Sequence, residues 1–227
     1  RGFWCVNRAF WLVGARITFD ISSVGATGNA MMAAVLAEGT TVIENAAAEP
    51  EMTALADFLT TLGARIEGAG TKTITIQGVS ELKPAGPFDN IPDRIEAGTM
   101  LVAGAITGGD VTLTGVRPDH LGVVLARLEK MGCRLEAHDD RIRLTVPEGR
   151  LRCVDIVTEP YPGFPTDLQA QFMALLCVAA GTGVVRDTIY VDRFTHVYEL
   201  ARLGARITLA GNVATVEGGL RLQGARV

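Results

Sequence analysis

Thr166 and Asp167 stand at the start of an apolar, helix-like segment, directly after a loop that two prolines and a glycine make rigid. The loop spans Tyr161–Pro165, and the apolar segment covers residues 168–180. The Asp167 carboxylate has two possible roles: it caps the helix, or it accepts the proton of a substrate hydroxyl as a general base. Because a general base must be held in a fixed position, the rigid loop favours the catalytic role.

A second candidate site is the segment Ser22–Thr27, which precedes another apolar helix-like segment. Backbone N–H groups at a helix N-terminus attract anions such as phosphates. Serine and threonine are also the preferred N-cap residues, so the segment predicts either an anion site or an ordinary helix cap.

Further stretches carry charges next to predicted helices. Residues 44–51 contain three acids, and Pro50-Glu51 is typical of the first turn of a helix, which favours capping over chemistry. In Asp93–Thr99, Arg94 either binds a phosphate or carboxylate through two hydrogen bonds or forms a surface ion pair. Three histidines lie far apart in the sequence; His196 has the most polar neighbours, in Asp192–His196.

These residues are positioned by a repeat of about 70 residues. Gly63, Gly132 and Gly204 each follow a segment with helical periodicity and precede strands with alternating apolar residues, so each glycine is predicted to end a helix. The predicted helices are residues 51–62, 119–131 and 196–203, and the strands that follow include residues 73–76, 141–144 and 212–216.

The first half of each unit also contains a helix, predicted at residues 28–38, 97–107 and 168–180, and a short strand follows it. The repeating unit is therefore strand–helix–strand–helix–strand–strand. The first helix of each unit is apolar on nearly every side, which is typical of a buried helix. The sequence thus predicts an α/β fold of repeats whose helices are buried and whose sheets lie outside.

Composition excludes several classes of protein. The 227 residues carry a net charge of −4 at pH 7, which argues against nucleic-acid binding. No run of about 20 apolar residues predicts a membrane span, and no signal peptide is recognisable at the N-terminus. The four cysteines (Cys5, Cys133, Cys153 and Cys177) form no Cys-x-x-Cys motif. We therefore expect a cytoplasmic protein without disulfides or a metal site, in which the cysteines are core residues.

Six phrases in order make the sequence resemble the UDP-N-acetylglucosamine 1-carboxyvinyltransferase family. They are residues 23–27, 36–47, 49–51, 92–99, 164–171 and 192–196, and the resemblance extends from about Gly14 to the C-terminus. It implies an inside-out α/β barrel of enolpyruvyl transferase type, with six such units in two domains and the active site between them. Our interpretation is that residues 1–88 form the third unit, in the first domain, and residues 89–227 the fourth and fifth.

The resemblance also implies a reaction. The family transfers the enolpyruvyl group of phosphoenolpyruvate to the 3'-hydroxyl of UDP-N-acetylglucosamine and releases phosphate, through a tetrahedral intermediate and without a metal or organic cofactor. This is the first committed step of peptidoglycan precursor synthesis. Residue by residue, Asp167 matches the proposed base. The substrate-binding positions that match are Ile21, Ser22, Ser23, Val24, Gly25, Glu49, Glu51, Asp93, Thr166, Ile189 and Arg193.

Departures from the family pattern raise alternatives. Ala48 stands where the family usually has a basic residue, and no cysteine here matches the family's reactive loop. We therefore expect the chain to need the remaining repeats for activity. A shikimate-pathway enolpyruvyl transferase on the same fold is a second possibility, although residues 164–171 argue against it. A third is a non-catalytic repeat module, which would not need Asp93, Asp167 and Arg193 together.

Overall fold

The computed structural model describes residues 12–190 and 192–226, which divide into two compact units with the boundary in the sequence between Ile91 and Pro92. Cys5 lies outside the described residues. The helices are α1 (Val24–Ala34), α2 (Pro50–Thr61), α3 (Arg94–Ile106), α4 (Gly122–Met131), α5 (Gln169–Val178) and α6 (His196–Arg202). The strands are β1 (Arg16–Thr18), β2 (Thr40–Glu44), β3 (Arg65–Glu67), β4 (Thr73–Gln77), β5 (Asp110–Thr114), β6 (Arg134–His138), β7 (Arg141–Thr145), β8 (Ile156–Thr158), β9 (Thr182–Asp187), β10 (Arg206–Ala210) and β11 (Val213–Glu217).

The first unit contains one four-stranded sheet in the order β1-β2-β4-β3. Strands β1 and β2 are parallel, and the other pairs are antiparallel. Alternate residues of β2 and β4 point inward, where Ile43, Ile74 and Ile76 are fully buried together with Met31 of α1. One face of the sheet therefore holds the core of this unit, as the period-2 pattern of the strands predicts.

The second unit repeats this plan twice. Its last sheet has the order β10-β11-β9-β8, which matches β3-β4-β2-β1 of the first unit, with the same parallel and antiparallel pairs. The other sheet has only three strands, β5-β7-β6. Helices α3 and α5 pack against each other, α3 on β5 and β7, and α5 on β9 and β11. The helix pair therefore lies between two sheets, which is the buried-helix, outer-sheet arrangement that the sequence predicts.

Helix α5 is the centre of this core. Phe172, Met173, Leu175 and Leu176 are all fully buried, and none of the ten residues of the helix is exposed. Helices α1 and α3 are buried along one face only, with Met32 of α1 and Met100 of α3 exposed on the other, so the prediction of burial on nearly every side is confirmed for α5 and wrong for these two helices. No helix among residues 12–190 and 192–226 is both long and apolar enough to cross a membrane.

The helix-ending glycines are confirmed. Gly63, Gly132 and Gly204 have φ angles of 99°, 112° and 97°, the left-handed region that glycine adopts without a steric penalty. Each follows the second helix of its repeat, so the recurring glycine ends that helix and turns the chain into the next strand.

Two elements of the structure differ from those predicted from the sequence. The helix predicted at residues 28–38 begins at Val24, because the Ser23 hydroxyl accepts a hydrogen bond from the Ala26 N–H and caps it there. It ends at Ala34, and Glu38 instead pairs with the backbone of Leu12 and Gly14. The second repeat also lacks its first strand, since residues 78–93 form no strand. Prolines at positions 84, 87 and 92 supply no N–H group for a sheet in that stretch.

Gly78 follows β4 where two backbone segments touch, and we expect Gly78→Ala to destabilise the first unit by about 1–3 kcal/mol. A Cβ atom at Gly78 would overlap the carbonyl oxygen of Ala37, and backbone cannot rotate away as a side chain can. The measurement is the free energy of unfolding in urea. The control is Gly86→Ala, because a Cβ atom there has nothing within 4 Å. Equal losses in the two variants would contradict the steric explanation.

Candidate active site

The loop that precedes α5 is held by its own backbone and by one aromatic anchor. The Gly163 N–H bonds the Pro160 carbonyl at 2.8 Å, and the Glu159 N–H bonds the Phe164 carbonyl at 3.0 Å. Phe164 is buried and packs edge-on against Phe172 of α5, with ring centroids 4.9 Å apart. The chain then forms a short 3-10 turn over Thr166–Leu168 before α5 begins. These contacts hold the loop that the sequence predicts to be rigid.

Asp167 is exposed in this turn and forms an ion pair with Arg193. Arg193 Nη2 donates to Asp167 Oδ1 at 2.7 Å, and both side chains are roughly half exposed to solvent. The pair joins two positions 26 residues apart in the sequence. The bond uses only Oδ1, so Oδ2 can accept a hydrogen bond from the hydroxyl of a bound molecule.

Thr166 connects the same arginine to a buried carboxylate. Arg193 Nη1 donates to Thr166 Oγ1 at 3.1 Å, and that hydroxyl donates to Asp187 Oδ2 at 2.7 Å. Asp187 ends β9 with only 1% of its surface exposed. Its other oxygen, Oδ1, accepts from the Thr158 hydroxyl at 2.8 Å and from the N–H groups of Ile189 and Tyr190 at 2.9 Å each.

Asp187 is held in its charged form by these bonds. Burial raises the pKa of its carboxyl, but hydrogen bonds from the Tyr190 N–H, the hydroxyls of Thr166 and Thr158, and the Ile189 N–H outweigh burial. The pKa of Asp187 therefore lies below its ordinary value, and the residue carries a buried negative charge at neutral pH. Two carboxylates thus lie on either side of Arg193: Asp187, buried and linked through Thr166, and Asp167, exposed and in direct contact.

Tyr190 supports the arginine from a further direction. Its ring lies under the Arg193 guanidinium, 5.2 Å from ring centroid to Cζ, a cation–π distance. The whole arrangement presents an exposed carboxylate next to a fixed guanidinium. A carboxylate so placed can accept a proton from a hydroxyl, and a guanidinium can bind an anionic group.

Four of the sequence-predicted residues come together here: Asp167, Thr166, Arg193 and Ile189, the last through its N–H bond to Asp187. Asp93 caps α3 in the second unit, where Oδ1 accepts from the Ile95 and Glu96 N–H groups at 2.8 and 3.1 Å. That bonding accounts for the residue as a helix cap. Substrate binding by Asp93 stays a prediction.

The other predicted residues belong to the first unit. Ile21 is exposed, Ser23 caps α1, and Val24 and Gly25 form its first turn. The Ser22 hydroxyl donates to the Ala46 carbonyl at 3.3 Å, which fixes the start of α1 against the loop that leads into α2. Glu49 occupies the N-cap position of α2 and Glu51 its first turn. The N-termini of both helices are thus joined by this loop, and binding by these residues also stays a prediction.

Comparison with known proteins identifies the family. A family model described as "EPSP synthase (3-phosphoshikimate 1-carboxyvinyltransferase)" matches residues 4–227. The chain belongs to this family. Among solved structures, the enolpyruvyl transferase NikO from Streptomyces tendae is similar with a TM-score of 0.82 and 25% identity, over 92% of this chain and 52% of that one. The enolpyruvyl transferase fold predicted from the sequence is confirmed.

Curated relatives are considerably more similar in sequence. A UDP-N-acetylglucosamine 1-carboxyvinyltransferase from Thermodesulfovibrio yellowstonii is 50% identical over 222 residues, which is 98% of this chain and 53% of the relative. A protein of the same name from Chlorobaculum parvum is 56% identical over 216 residues, 95% of this chain and 50% of the relative. The chain therefore spans about half the length of the curated relatives it matches.

Sequence reasoning missed Asp187 in this member of the family. The signal is present in β9, where Gly183, Val185 and Asp187 alternate on the buried face of the strand. An acid at an inward-facing position of an apolar strand needs several hydrogen-bond donors. The strand pattern therefore indicates a buried carboxylate, although the pattern alone does not identify its partners.

Among the described residues, Cys133 and Cys177 are core residues, as expected, and Cys153 is partly buried against the same core. Cys133 and Cys177 are buried, and burial raises the pKa of each thiol to about 11. Burial also raises the pKa of the Cys153 thiol, and the negative charge of Asp155 raises it further. At neutral pH these three thiols are protonated, and a protonated thiol is a poor nucleophile.

His196 makes the stability of the second unit depend on pH. Burial lowers the pKa of its imidazole below the ordinary 6.5, and the positive charge of Arg193 lowers it further. Nε2 is buried without a hydrogen-bond partner among the described residues. Just below pH 6.5, His196 is therefore protonated in the unfolded chain while it stays neutral in the folded chain. We expect His196 to leave the free energy of unfolding unchanged above pH 6.5. As the pH falls from 6.5 toward the lowered pKa of the folded chain, we expect that free energy to decrease.

The measurement is the free energy of unfolding in urea at several pH values between about 8 and 5. His196→Gln is expected to reduce the loss of stability below pH 6.5, because glutamine does not titrate. The control is His138→Gln, since that side chain is exposed on β6. If His196→Gln keeps the full pH dependence of the wild type, His196 is not its source.

Proposed function

We propose that this chain forms part of an enolpyruvyl transferase that moves the enolpyruvyl group of phosphoenolpyruvate onto the 3'-hydroxyl of UDP-N-acetylglucosamine, in the cytoplasm, for peptidoglycan synthesis. One observation carries the proposal: the exposed Asp167 carboxylate, held at 2.7 Å by Arg193 at the end of a rigid loop. The names of relatives that are 50% and 56% identical support the choice of reaction and acceptor.

In this proposal Asp167 is the general base. Its Oδ2 accepts the proton of the acceptor hydroxyl as the hydroxyl oxygen bonds to C2 of phosphoenolpyruvate, and a second proton, which originates from water, adds to C3. The tetrahedral adduct then loses a proton from C3 and phosphate from C2, which restores the double bond and gives the enolpyruvyl ether. Because Arg193 fixes Oδ1, Oδ2 keeps its position toward the hydroxyl during proton transfer.

Charged groups of the substrates also have matching residues. Backbone N–H groups at the start of α1, around Ser23 and Gly25, suit the diphosphate of the acceptor. The Arg193 guanidinium suits a phosphate or a carboxylate, and Thr166 and Ile189 line the same region. From the family resemblance alone, we propose that Glu49, Glu51 and Asp93 bind substrate.

We further propose that transfer requires segments that this chain does not contain, since its relatives are about twice as long. By full-length enzyme we mean the chain extended to the length of those relatives. We expect the full-length enzyme to release phosphate from phosphoenolpyruvate when UDP-N-acetylglucosamine is present, and the 227-residue chain alone to release little. Rapid release by the isolated chain would contradict the second part.

The decisive test compares two acceptors. The full-length enzyme is assayed for phosphate release with phosphoenolpyruvate and either UDP-N-acetylglucosamine or shikimate 3-phosphate. We expect turnover only with the nucleotide sugar. Turnover only with shikimate 3-phosphate would favour the second candidate, which the description of the family model supports. Absence of turnover with both, from a folded protein, would overturn enolpyruvyl transfer.

A further inference from the structure

We infer that Asp187 is the positioning residue of the proposed active site: it fixes Arg193, and through Arg193 the Asp167 carboxylate. This inference rests on the proposed function for its catalytic consequence. Its structural basis is independent, because Asp187 reaches Arg193 by two separate routes.

The first route passes through a hydroxyl. Asp187 Oδ2 accepts the proton of the Thr166 hydroxyl at 2.7 Å, which leaves the lone pairs of Thr166 Oγ1 to accept from Arg193 Nη1 at 3.1 Å. A threonine hydroxyl otherwise rotates freely. The buried carboxylate therefore sets the direction in which Thr166 can accept, and Arg193 occupies that direction.

The second route passes through the backbone. Asp187 Oδ1 accepts from the N–H groups of Ile189 and Tyr190, which fixes the turn after β9. That turn places the Tyr190 ring under the guanidinium, 5.2 Å from Arg193 Cζ. Arg193 is thus held at one nitrogen by Thr166 and across its face by Tyr190, and both supports depend on the same carboxylate.

Charge adds to this geometry. Asp187 is almost fully buried, so its negative charge is poorly screened by solvent and acts on the nearby guanidinium. Arg193 is then shared between a fixed buried charge and the exposed Asp167. Because the buried partner cannot move, the exposed carboxylate takes its position from the arginine.

The test uses steady-state kinetics of the full-length enzyme with phosphoenolpyruvate and UDP-N-acetylglucosamine. Asp187→Asn removes the charge and replaces one acceptor oxygen with a donor. Thr166→Val removes the relay, and Thr166→Ser restores it. We expect kcat to fall roughly tenfold or more in Asp187→Asn and in Thr166→Val. Thr166→Ser keeps the relay hydroxyl, so its kcat should be roughly threefold or more above that of Thr166→Val. The Asp187→Asn/Thr166→Val double variant should lose no more kcat than Asp187→Asn alone, because Asp187→Asn already disrupts the Thr166 route as well as the turn after β9.

The matched control is Thr158→Val. Its hydroxyl donates to Asp187 Oδ1 at 2.8 Å and accepts from the Thr188 N–H at 3.0 Å, and no hydrogen bond joins it directly to Arg193 among the described residues. We expect a lower melting temperature in Thr158→Val, with kcat within about twofold of wild type. A role for Asp187 in stability alone predicts instead that Thr158→Val and Asp187→Asn lose kcat in proportion to their melting temperatures, and that result would overturn the inference.

A second readout does not depend on activity. In protein labelled with ¹⁵N-arginine, the Nε–Hε signal of Arg193 is assigned by its loss in Arg193→Lys. We expect it to shift toward the position of free arginine in Asp187→Asn and Thr166→Val and to stay in place in Thr158→Val. An unchanged signal in the first two variants would overturn the inference. If the wild type instead shows no enolpyruvyl transfer, the proposed function fails, and this signal alone decides whether Asp187 positions Arg193.

Discussion

Replacing Asp167 with asparagine is expected to lower kcat of the full-length enzyme roughly 10²–10⁴-fold while the fold stays intact. The amide oxygen of asparagine can still accept the hydrogen bond from Arg193, so the loop keeps its geometry. The amide cannot accept a proton from the acceptor hydroxyl, and the general-base contribution is lost. The measurement is phosphate release at saturating phosphoenolpyruvate and UDP-N-acetylglucosamine, with KM for the acceptor expected to change much less than kcat.

The matched control for this prediction is Asp110→Asn. Asp110 forms an exposed ion pair with Arg143 between β5 and β7, at 2.8 Å, in the same unit. The substitution removes the same charge and weakens a similar pair, but on the outer sheet. We expect kcat within about twofold of wild type, as for most surface substitutions. If Asp167→Asn also keeps at least half of the wild-type kcat, Asp167 is not the base.

The sequence predicts correctly those helices and strands that depend on neighbouring residues. Strands β4, β7 and β11 follow from alternating apolar residues, and the ends of α2, α4 and α6 follow from glycines that adopt positive φ. These features depend on a few neighbouring residues, so one sequence suffices. Six ordered phrases then allow the fold family to be recognised, and the family model confirms it over residues 4–227.

Elements that depend on distant partners were predicted less well. Where α1 ends is decided by Glu38, which pairs with backbone at Leu12 and Gly14, more than twenty residues earlier. Alanine, methionine and leucine favour a helix through residue 38, and tertiary pairing overrides that propensity. The missing first strand of the second repeat has a local cause in its prolines, although the repeat pattern predicts a strand there.

The candidate active site likewise combines residues that the sequence identifies with contacts that depend on distant partners. Asp167 is recognisable from its position after a rigid loop, and Arg193 from the family resemblance, yet their contact joins residues 26 positions apart. Nothing in the periodicity of either segment specifies that pairing. Asp187 is different, because its place on the inward face of β9 makes it recognisable as a buried acid. Only the structure identifies Thr166 as the group that connects it to Arg193.

Truncating Phe172 to alanine is expected to destabilise the second unit by about 3–5 kcal/mol, the usual cost of deleting a buried phenylalanine. The Phe172 ring is fully buried and packs edge-on against Phe164. Helix α5 is confined by α3 on one side and by β9 and β11 on the other, so the surroundings cannot collapse into the cavity. The measurement is the free energy of unfolding in urea.

The control for Phe172→Ala is Phe58→Ala in the first unit. Phe58 also has an edge-on aromatic partner, Phe88, with centroids 5.3 Å apart, but 39% of its surface is exposed. We expect its truncation to cost roughly 1 kcal/mol, because the ring is only partly removed from water. Equal losses in the two variants would mean that the aromatic pair, rather than burial, sets the stability.

Since Phe164 also anchors the loop that carries Asp167, we expect Phe172→Ala to lower kcat of the full-length enzyme as well, even at temperatures where the unit stays folded.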